Sequence, residues 1–258
     1  LNTRKLNNNL RKLASGERIT TAADDAAGLA ISEKLKAHIR GYRQSKRNAN
    51  DAISLIQTAE GGLNEISNIV IRLRELSVQA ASDTVGPTER GFSDIEFQQL
   101  KEEIDRISKS SDFNGVKLLD GSGGTFEFQV GIHNDPTLDR LTYDAVDSNA
   151  TLSALGLMSD AIGTKEGAQG VLKKLDDALV KINGIRSNLG AKQNRLSSAI
   201  NTLSVTDENL SAAKSRIRDV DIAEETADMT KNNILVSAGV SVLAQANQST
   251  QAALKLIG

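Results

Sequence analysis

The chain has 258 residues, enough to bury a sizeable core, and its 31 Lys and Arg against 33 Asp and Glu give a net charge of -2. That even mixture supplies neither the basic field nucleic acid requires nor an acidic tail, and the absence of cysteine removes thiol catalysis, disulfides and thiolate metal sites. Hydrophobic residues at 39% with aromatics at 3%, no Trp and two Pro fit helices meeting through aliphatic side chains, not an aromatic-rich sheet sandwich.

Leu1 to Leu10 is polar and Asn-rich, without the apolar core of a secretory signal, and no run along the chain is long and apolar enough to cross a bilayer. Leu6, Leu10 and Leu13 form a short helical stripe that the Ser15-Gly16 pair should stop. Thr21, with Asp24 three residues on, has capping-box spacing for a next helix, whose Ile31, Leu35, Ile39 and Tyr42 share a face. The acidic pair Asp24-Asp25 reads as a charged helix start in preference to a catalytic dyad, because no acid, base or metal partner stands out.

A heptad seam begins at Ala49: Ala49, Ile56, Leu63, Val70 and Ser77 at one position, Ala52, Ala59, Ile66, Leu73 and Ala80 at the other. Gly61-Gly62 interrupts it at a propensity cost of roughly 2 kcal/mol, which packing should override. The helix should end between Ser82 and Pro87, and Ser93 with Glu96 has capping-box spacing for another carrying Phe97, Leu100, Ile104 and Ile107. After Ser110 the pattern changes. Asn114-Gly115 is a turn signal, Val116 to Leu119 an apolar run, Gly121 to Gly124 a flexible turn, Thr125 to Gly131 an alternating strand and Leu141 to Val146 a third strand candidate, together a hairpin or three-stranded patch.

Thr164 can start a long helix ending near Val220. Leu175, Ile182, Leu189, Leu196, Leu203, Leu210 and Ile217 recur every seventh residue, with Ala178, Ile185, Lys192, Ala199, Thr206, Ala213 and Val220 as companions. From Leu175 to Val220 such a helix would run about 70 Å, too long for a compact sphere whose radius of gyration would be ~18 Å, so the expected shape is a rod. Asp221 can open a last helix with the stripe Val236, Val240, Leu243, Asn247, Thr250, Leu254 and Ile257. This tail and the Leu6 to Leu13 stripe are each too weak to stand alone, and each offers the other a partner. The fold expected is mainly α: a long antiparallel coiled-coil rod with a small β-hairpin patch in mid-chain.

Several motifs, quoted together and in order, resemble those of bacterial flagellin. They are Leu13-Ala14-Ser15-Gly16, Ala22 to Ser32 (AADDAAGLAIS), Ser54 to Asn64 (SLIQTAEGGLN), Arg74-Glu75-Leu76, Phe113-Asn114-Gly115, Ser215 to Asp219 (SRIRD) and Val242 to Gln248 (VLAQANQ). The resemblance covers nearly everything outside about 121–164. It implies a structural, non-enzymatic subunit that polymerises into the flagellar filament, with residues 1–14 and 222–258 pairing in an inner tube. Residues 15–221 would form the surrounding helical shell, with the hairpin at about 113–147 and no outer variable domain. Export through the flagellar type III apparatus would account for the missing signal. The partners implied are further copies of the chain, an export chaperone, filament cap and junction proteins, and the animal Toll-like receptor for flagellin. The filament would be extracellular, or periplasmic as in spirochaetes; a hook-filament junction adaptor with flagellin-like ends is the alternative function. Against the family pattern the chain starts several residues short, at Leu1.

The same resemblance marks Arg72, Leu76 and Glu96 as the receptor and inter-subunit surface, and it assigns the polar positions Lys192, Asn194 and Arg195 of the long helix to lattice contacts. Leu6, Leu10, Leu13, Val240, Leu243, Leu254 and Ile257 are the terminal-helix packing residues. No metal or cofactor is expected. The two histidines, His38 and His133, have no His-x-x-x-His spacing, and no glycine-rich nucleotide motif or His-Glu-x-x-His occurs. Arg40, Arg43, Lys46 and Arg47 read as a solvated or subunit-facing flank, and the sequons at Asn149, Asn209 and Asn247 as chance matches.

Overall fold

A computed structural model describes residues 2–257, with side chains through Gln248. Ten elements follow in order: α1 (Asn2–Ser15), α2 (Ala26–Ala80), α3 (Pro87–Ser110), β1 (Asp112–Phe113), β2 (Val116–Lys117), β3 (Thr125–Gln129), β4 (Arg140–Asp144), α4 (Leu152–Leu155), α5 (Lys165–Arg218) and α6 (Ile222–Ile257). The chain divides into two compact units, residues 1–40 with 206–258, and residues 41–205, so the boundary falls inside α2 and α5.

In the second unit the two heptad seams are the core. Ala49, Ala52, Ile56, Ala59, Leu63, Ile66, Val70, Leu73, Ser77 and Ala80 of α2 are all buried, as are Leu175, Ala178, Ile182, Leu189, Leu196 and Leu203 of α5. The ion pairs Arg74–Asp176 (2.7 Å) and Glu60–Arg186 (4.0 Å) show the helices to be antiparallel, since one residue number rises as the other falls. Alanine in the α2 seam lets the backbones approach, and the leucine and isoleucine of α5 occupy the space so created.

A further row on α2, Leu55, Gly62, Ile69 and Leu76, lies beside the seam and is also covered. A Cβ at Gly62 would sit 2.7 Å from Ser111 Oγ and 2.8 Å from Leu119 Cδ1, so this glycine admits the segment after α3. Gly61 has nothing within 4 Å of that position. The helix runs unbroken through the pair: one glycine is required by packing and the other is only tolerated.

Helix α3 starts earlier than its sequence pattern suggested. Gly86 is its N-cap and Pro87, with its preset φ, occupies the first turn; Ser93 lies in the interior, its hydroxyl donating to Glu89 O. On the other face the buried Lys101 donates to Gln98 Oε1 (3.1 Å), Met158 O (3.1 Å) and Asp160 O (2.7 Å), and burial lowers its pKa. These bonds hold the connection before α5 onto α3.

The mid-chain patch is two separate antiparallel pairs, β1 with β2 and β3 with β4, where a single hairpin or a three-stranded patch was expected. Val116 pairs back across the Asn114-Gly115 turn to Phe113, while Phe126 faces Tyr143 in the longer pair. The longer pair is tied to both long helices: Ser45 Oγ donates to Gly131 O (2.9 Å), Asn48 Nδ2 to Gln129 O (3.0 Å), and Lys192 Nζ to Thr142 O (2.7 Å). Tyr143, 1% exposed, donates its hydroxyl to Leu118 O.

In the first unit Gly16 ends α1 at φ +70°. The next cap is Asp25, whose Oδ1 accepts from Gly28 N–H, and not Thr21. Asp24 instead ties the preceding loop: its Oδ2 accepts from the backbone N–H and the hydroxyl of both Thr20 and Thr21. The same Thr-x-x-Asp spacing serves a capping box and this turn, which is why the sequence misplaced the cap. Thr164 caps α5 through Gly167 N–H, and Asp221 caps α6 through Ala223 and Glu224 N–H, both as the sequence suggested.

Two outcomes follow from this packing. Gly61→Ala should raise stability by up to about 1 kcal/mol in urea unfolding, whereas Gly62→Ala should lose that gain to the Ser111 and Leu119 contacts; equal gains would contradict the close approach. The Asp24 carboxyl is held down from 3.8 to about 2 by the Thr21 N–H first and the Thr20 hydroxyl next. Its stabilisation is therefore present above about pH 4 and lost as pH falls towards about 2, and at this surface loop it should be about 1 kcal/mol. The Tm gap between the parent and Asp24→Asn should close over that range; a gap independent of pH would refute the role.

Candidate assembly surfaces

Helix α1 lies against the start of α6. Lys12 Nζ is 3.5 Å from Glu225 Oε2, and Asn232 Nδ2 donates to the buried Asn9 Oδ1 at 3.4 Å. Leu6 and Leu13 are half-buried in this pairing. Leu10 is 49% exposed, Val240 63% and Leu243 66%, so these three expected packing residues are not covered within the chain. For Val240 and Leu243 the cause is geometric: α1 has 14 residues and α6 has 36, about 21 Å against about 54 Å, so α1 cannot sheathe α6; Leu10 lies on a side of α1 that α6 does not cover. Leu254 and Ile257 lie outside the described side chains.

The uncovered part of α6 is strongly apolar. Ile234, Leu235, Val240, Val242 and Leu243 are 44 to 67% exposed on one helix, a concentration that marks an interaction surface.

The connections to α1 and α6 are joined to each other. Glu17 and Asp219 form an isolated antiparallel bridge, Arg18 N–H donates to Arg218 O (2.6 Å), and Val220 N–H donates to Gly16 O (3.1 Å). The Arg218 guanidinium, 12% exposed, pairs with Glu17 Oε1 at 2.8 Å and with Glu33 Oε1. Its hydrogen bond is the chief cause of the lowered pKa of Glu33. No motif in the sequence identified Arg218 as the centre of this junction; the SRIRD stretch carried family resemblance only.

On the second unit Arg72 bridges two helices, reaching Glu96 Oε1 (2.9 Å) on α3 and Glu75 Oε2 (3.0 Å) on its own helix. All three side chains are about half exposed, so the network is a solvent-screened surface feature that contributes little to stability. Leu76 is only 2% exposed: its side chain belongs to the core beneath that network and is not part of the outer face. The apolar exposure there comes from Ile71 (46%) and Val78 (51%), which line a shallow groove with Arg74, Glu75 and Gln79.

The three polar positions on α5 separate in the same way. Lys192 is half-buried, hydrogen-bonded to the β4 backbone and placed 6.0 Å from the centre of the Tyr143 ring, so its ammonium is used inside the subunit. The one charged residue in the heptad seam was the sequence signal for this anchor, but its partner was not readable. Asn194 and Arg195 are exposed. Among the described residues no cluster of three His, Cys, Asp or Glu could hold a metal ion, and no helix is long and apolar enough to cross a membrane.

Comparison with known proteins bears on these surfaces. Residues 1–123 match the bacterial flagellin N-terminal helical region and residues 172–257 the C-terminal helical region. The chain is 48% identical to a flagellin of Halalkalibacterium halodurans over 96% of its own length and 90% of the relative's. It is 43% identical to the flagellar filament 33 kDa core protein of Treponema phagedenis, covering 96% of this chain and 91% of that one. Among solved structures, the crystal structure of Bacillus cereus flagellin is similar at 34% identity and a TM-score of 0.55, over 65% of this chain and 94% of the other. With both terminal regions matched, long helices flanking two small strand pairs, and nearly full-length relatives, the chain belongs to the bacterial flagellin family, whose members are subunits of flagellar filaments.

Proposed function

We propose that the chain polymerises into a flagellar filament by burying the uncovered length of α6, apolar on all sides, against other copies. The observation that carries this reading is the exposure of Ile234, Val240, Val242 and Leu243, apolar side chains that α1, a single short helix, leaves uncovered. In this reading 1–14 and 222–258 form an inner tube, 15–221 form the surrounding shell, and the subunit has no outer variable domain and no catalytic activity. The exposed Asn194 and Arg195 lie at contacts between copies, whereas Lys192 supports them from within by holding the strand pair on α5. Delivery by an export chaperone, addition beneath a cap protein and attachment through junction proteins complete the partners. The filament is extracellular; the similarity to a Treponema filament core protein supports a periplasmic filament as the second reading.

Seeded growth of purified monomer tests the assembly. The parent should give long filaments. Leu243→Asp, in an exposed position, and Arg195→Glu should each keep helical content and Tm while abolishing growth; filaments of normal length from both variants, or only a thin ring from the parent, would overturn the reading.

Recognition by the animal Toll-like receptor for flagellin is a further part of the proposal. The exposed Arg72–Glu96 pair, with Ile71 and Val78 beside it, offers a charged and apolar face, and Leu76 supports it from beneath. Arg72→Ala should weaken receptor signalling by monomer at least tenfold without changing Tm. Equal dose-response curves for the variant and the parent would remove the site.

A further inference from the structure

The dipeptide Asn-Gly occurs twice in the chain, at Asn114-Gly115 and at Asn183-Gly184. All four residues are exposed, and neither glycine has anything within 4 Å of where a Cβ would stand. The two sites therefore match in sequence, solvent access and local crowding. They differ in backbone. Asn183-Gly184 lies in the interior of α5, where each amide N–H is committed to the helical ladder and rotation at Asn183 would break the helix. Asn114-Gly115 forms the two-residue turn between β1 and β2, with φ of +52° and +81°, joined to strands of two residues each. A positive φ is uncommon for any residue but glycine, and so short a strand pair opens locally at small cost.

We propose that Asn114 is a site of spontaneous covalent conversion in the folded protein, and that Asn183 is protected by its helix. Hydroxide removes the Gly115 amide proton, and that nitrogen attacks Cγ of Asn114. A C–N bond closes a five-membered imide as the bond from Cγ to the side-chain nitrogen breaks, and the departing nitrogen takes up a proton to leave as ammonia. Water then opens the imide. Attack at the former side-chain carbonyl gives aspartate in an ordinary peptide; attack at the former backbone carbonyl gives isoaspartate, whose chain runs through the side-chain carbon. The sum is asparagine plus water yielding the acid plus ammonia, with no change of oxidation state.

The turn is placed to convey the change to the core. Isoaspartate adds one carbon to the backbone of a turn whose register sets Phe113 opposite Val116. Leu118 and Leu119, immediately beyond, are fully buried, and Leu119 approaches Gly62 of α2. Either product also adds a carboxylate two residues from Asp112. Asp120-Gly121, the nearest alternative source of the same imide, is restrained because Asp120 Oδ1 accepts from Ser122 N–H (2.8 Å) and Ser122 Oγ (2.7 Å).

The test is timed incubation of the full-length native chain in mildly alkaline buffer, followed by peptide mass spectrometry and enzymatic methylation of isoaspartate. The amide-to-acid mass change and the isoaspartate label should accumulate on the Asn114 peptide at least an order of magnitude faster than on the Asn183 peptide, with a rate that rises with pH. In concentrated urea the two rates should converge, because the backbone difference is gone. Equal native rates, faster conversion at Asn183, or an Asn114 that converts only in urea would overturn the proposal.

Discussion

Burial of the α2 seam against the α5 seam is the constraint on which the second unit depends. Ten seam positions of α2 from Ala49 to Ala80 are inaccessible, and the facing row of α5 is leucine and isoleucine relieved by Ala178. The α2 seam mixes small residues (Ala49, Ala52, Ala59, Ser77, Ala80) with branched ones, and their interdigitation with the α5 row fixes both the spacing and the register, because a one-position slip would bring large side chains into conflict or leave voids. Burying a Leu or Ile stabilises by roughly 1.5–3 kcal/mol, more than any exposed ion pair in the unit contributes, so Arg74–Asp176 and Glu60–Arg186 report the register without setting it.

Everything else in that unit is attached to the paired helices. Gly62 leaves room for Ser111 and Leu119; Ser45, Asn48 and Lys192 hold the strands; Lys101 holds the connection into α5. The strand pairs have too few residues to stand alone, and their order is borrowed from the helices. The surface this scaffold presents at Arg72 and Glu96 is correspondingly fixed in position, with the buried Leu76 beneath it.

The sequence disclosed most clearly what periodicity encodes. The seams at 49–80 and 175–203, the break at Ser15-Gly16 and the caps at Thr164 and Asp221 were all readable, since each follows from a repeat or a local hydrogen-bonding preference. Capping boxes were less dependable: Thr21 with Asp24 closes a turn instead, and Ser93 with Glu96 lies within a helix that Pro87 had already begun. The burial of Leu76 was hidden because it lies beside the a/d seam, in a row covered only because α2 meets more than one neighbour. The Arg218 junction, joining Glu17 and Glu33 across long sequence separations, follows from no local pattern.

The first unit is incompletely buried by its own residues, and this links the fold to assembly. Helix α1 covers only the beginning of α6, while Arg218 and the Glu17–Asp219 bridge join the connections that lead to both. In the proposed filament the apolar residues beyond are buried against other copies. Amide hydrogen exchange across 234–248, compared between monomer and assembled filament, tests this most directly. The account predicts rapid exchange in the monomer and strong protection in the filament. Equal protection in the two states, or continued rapid exchange after assembly, would contradict it.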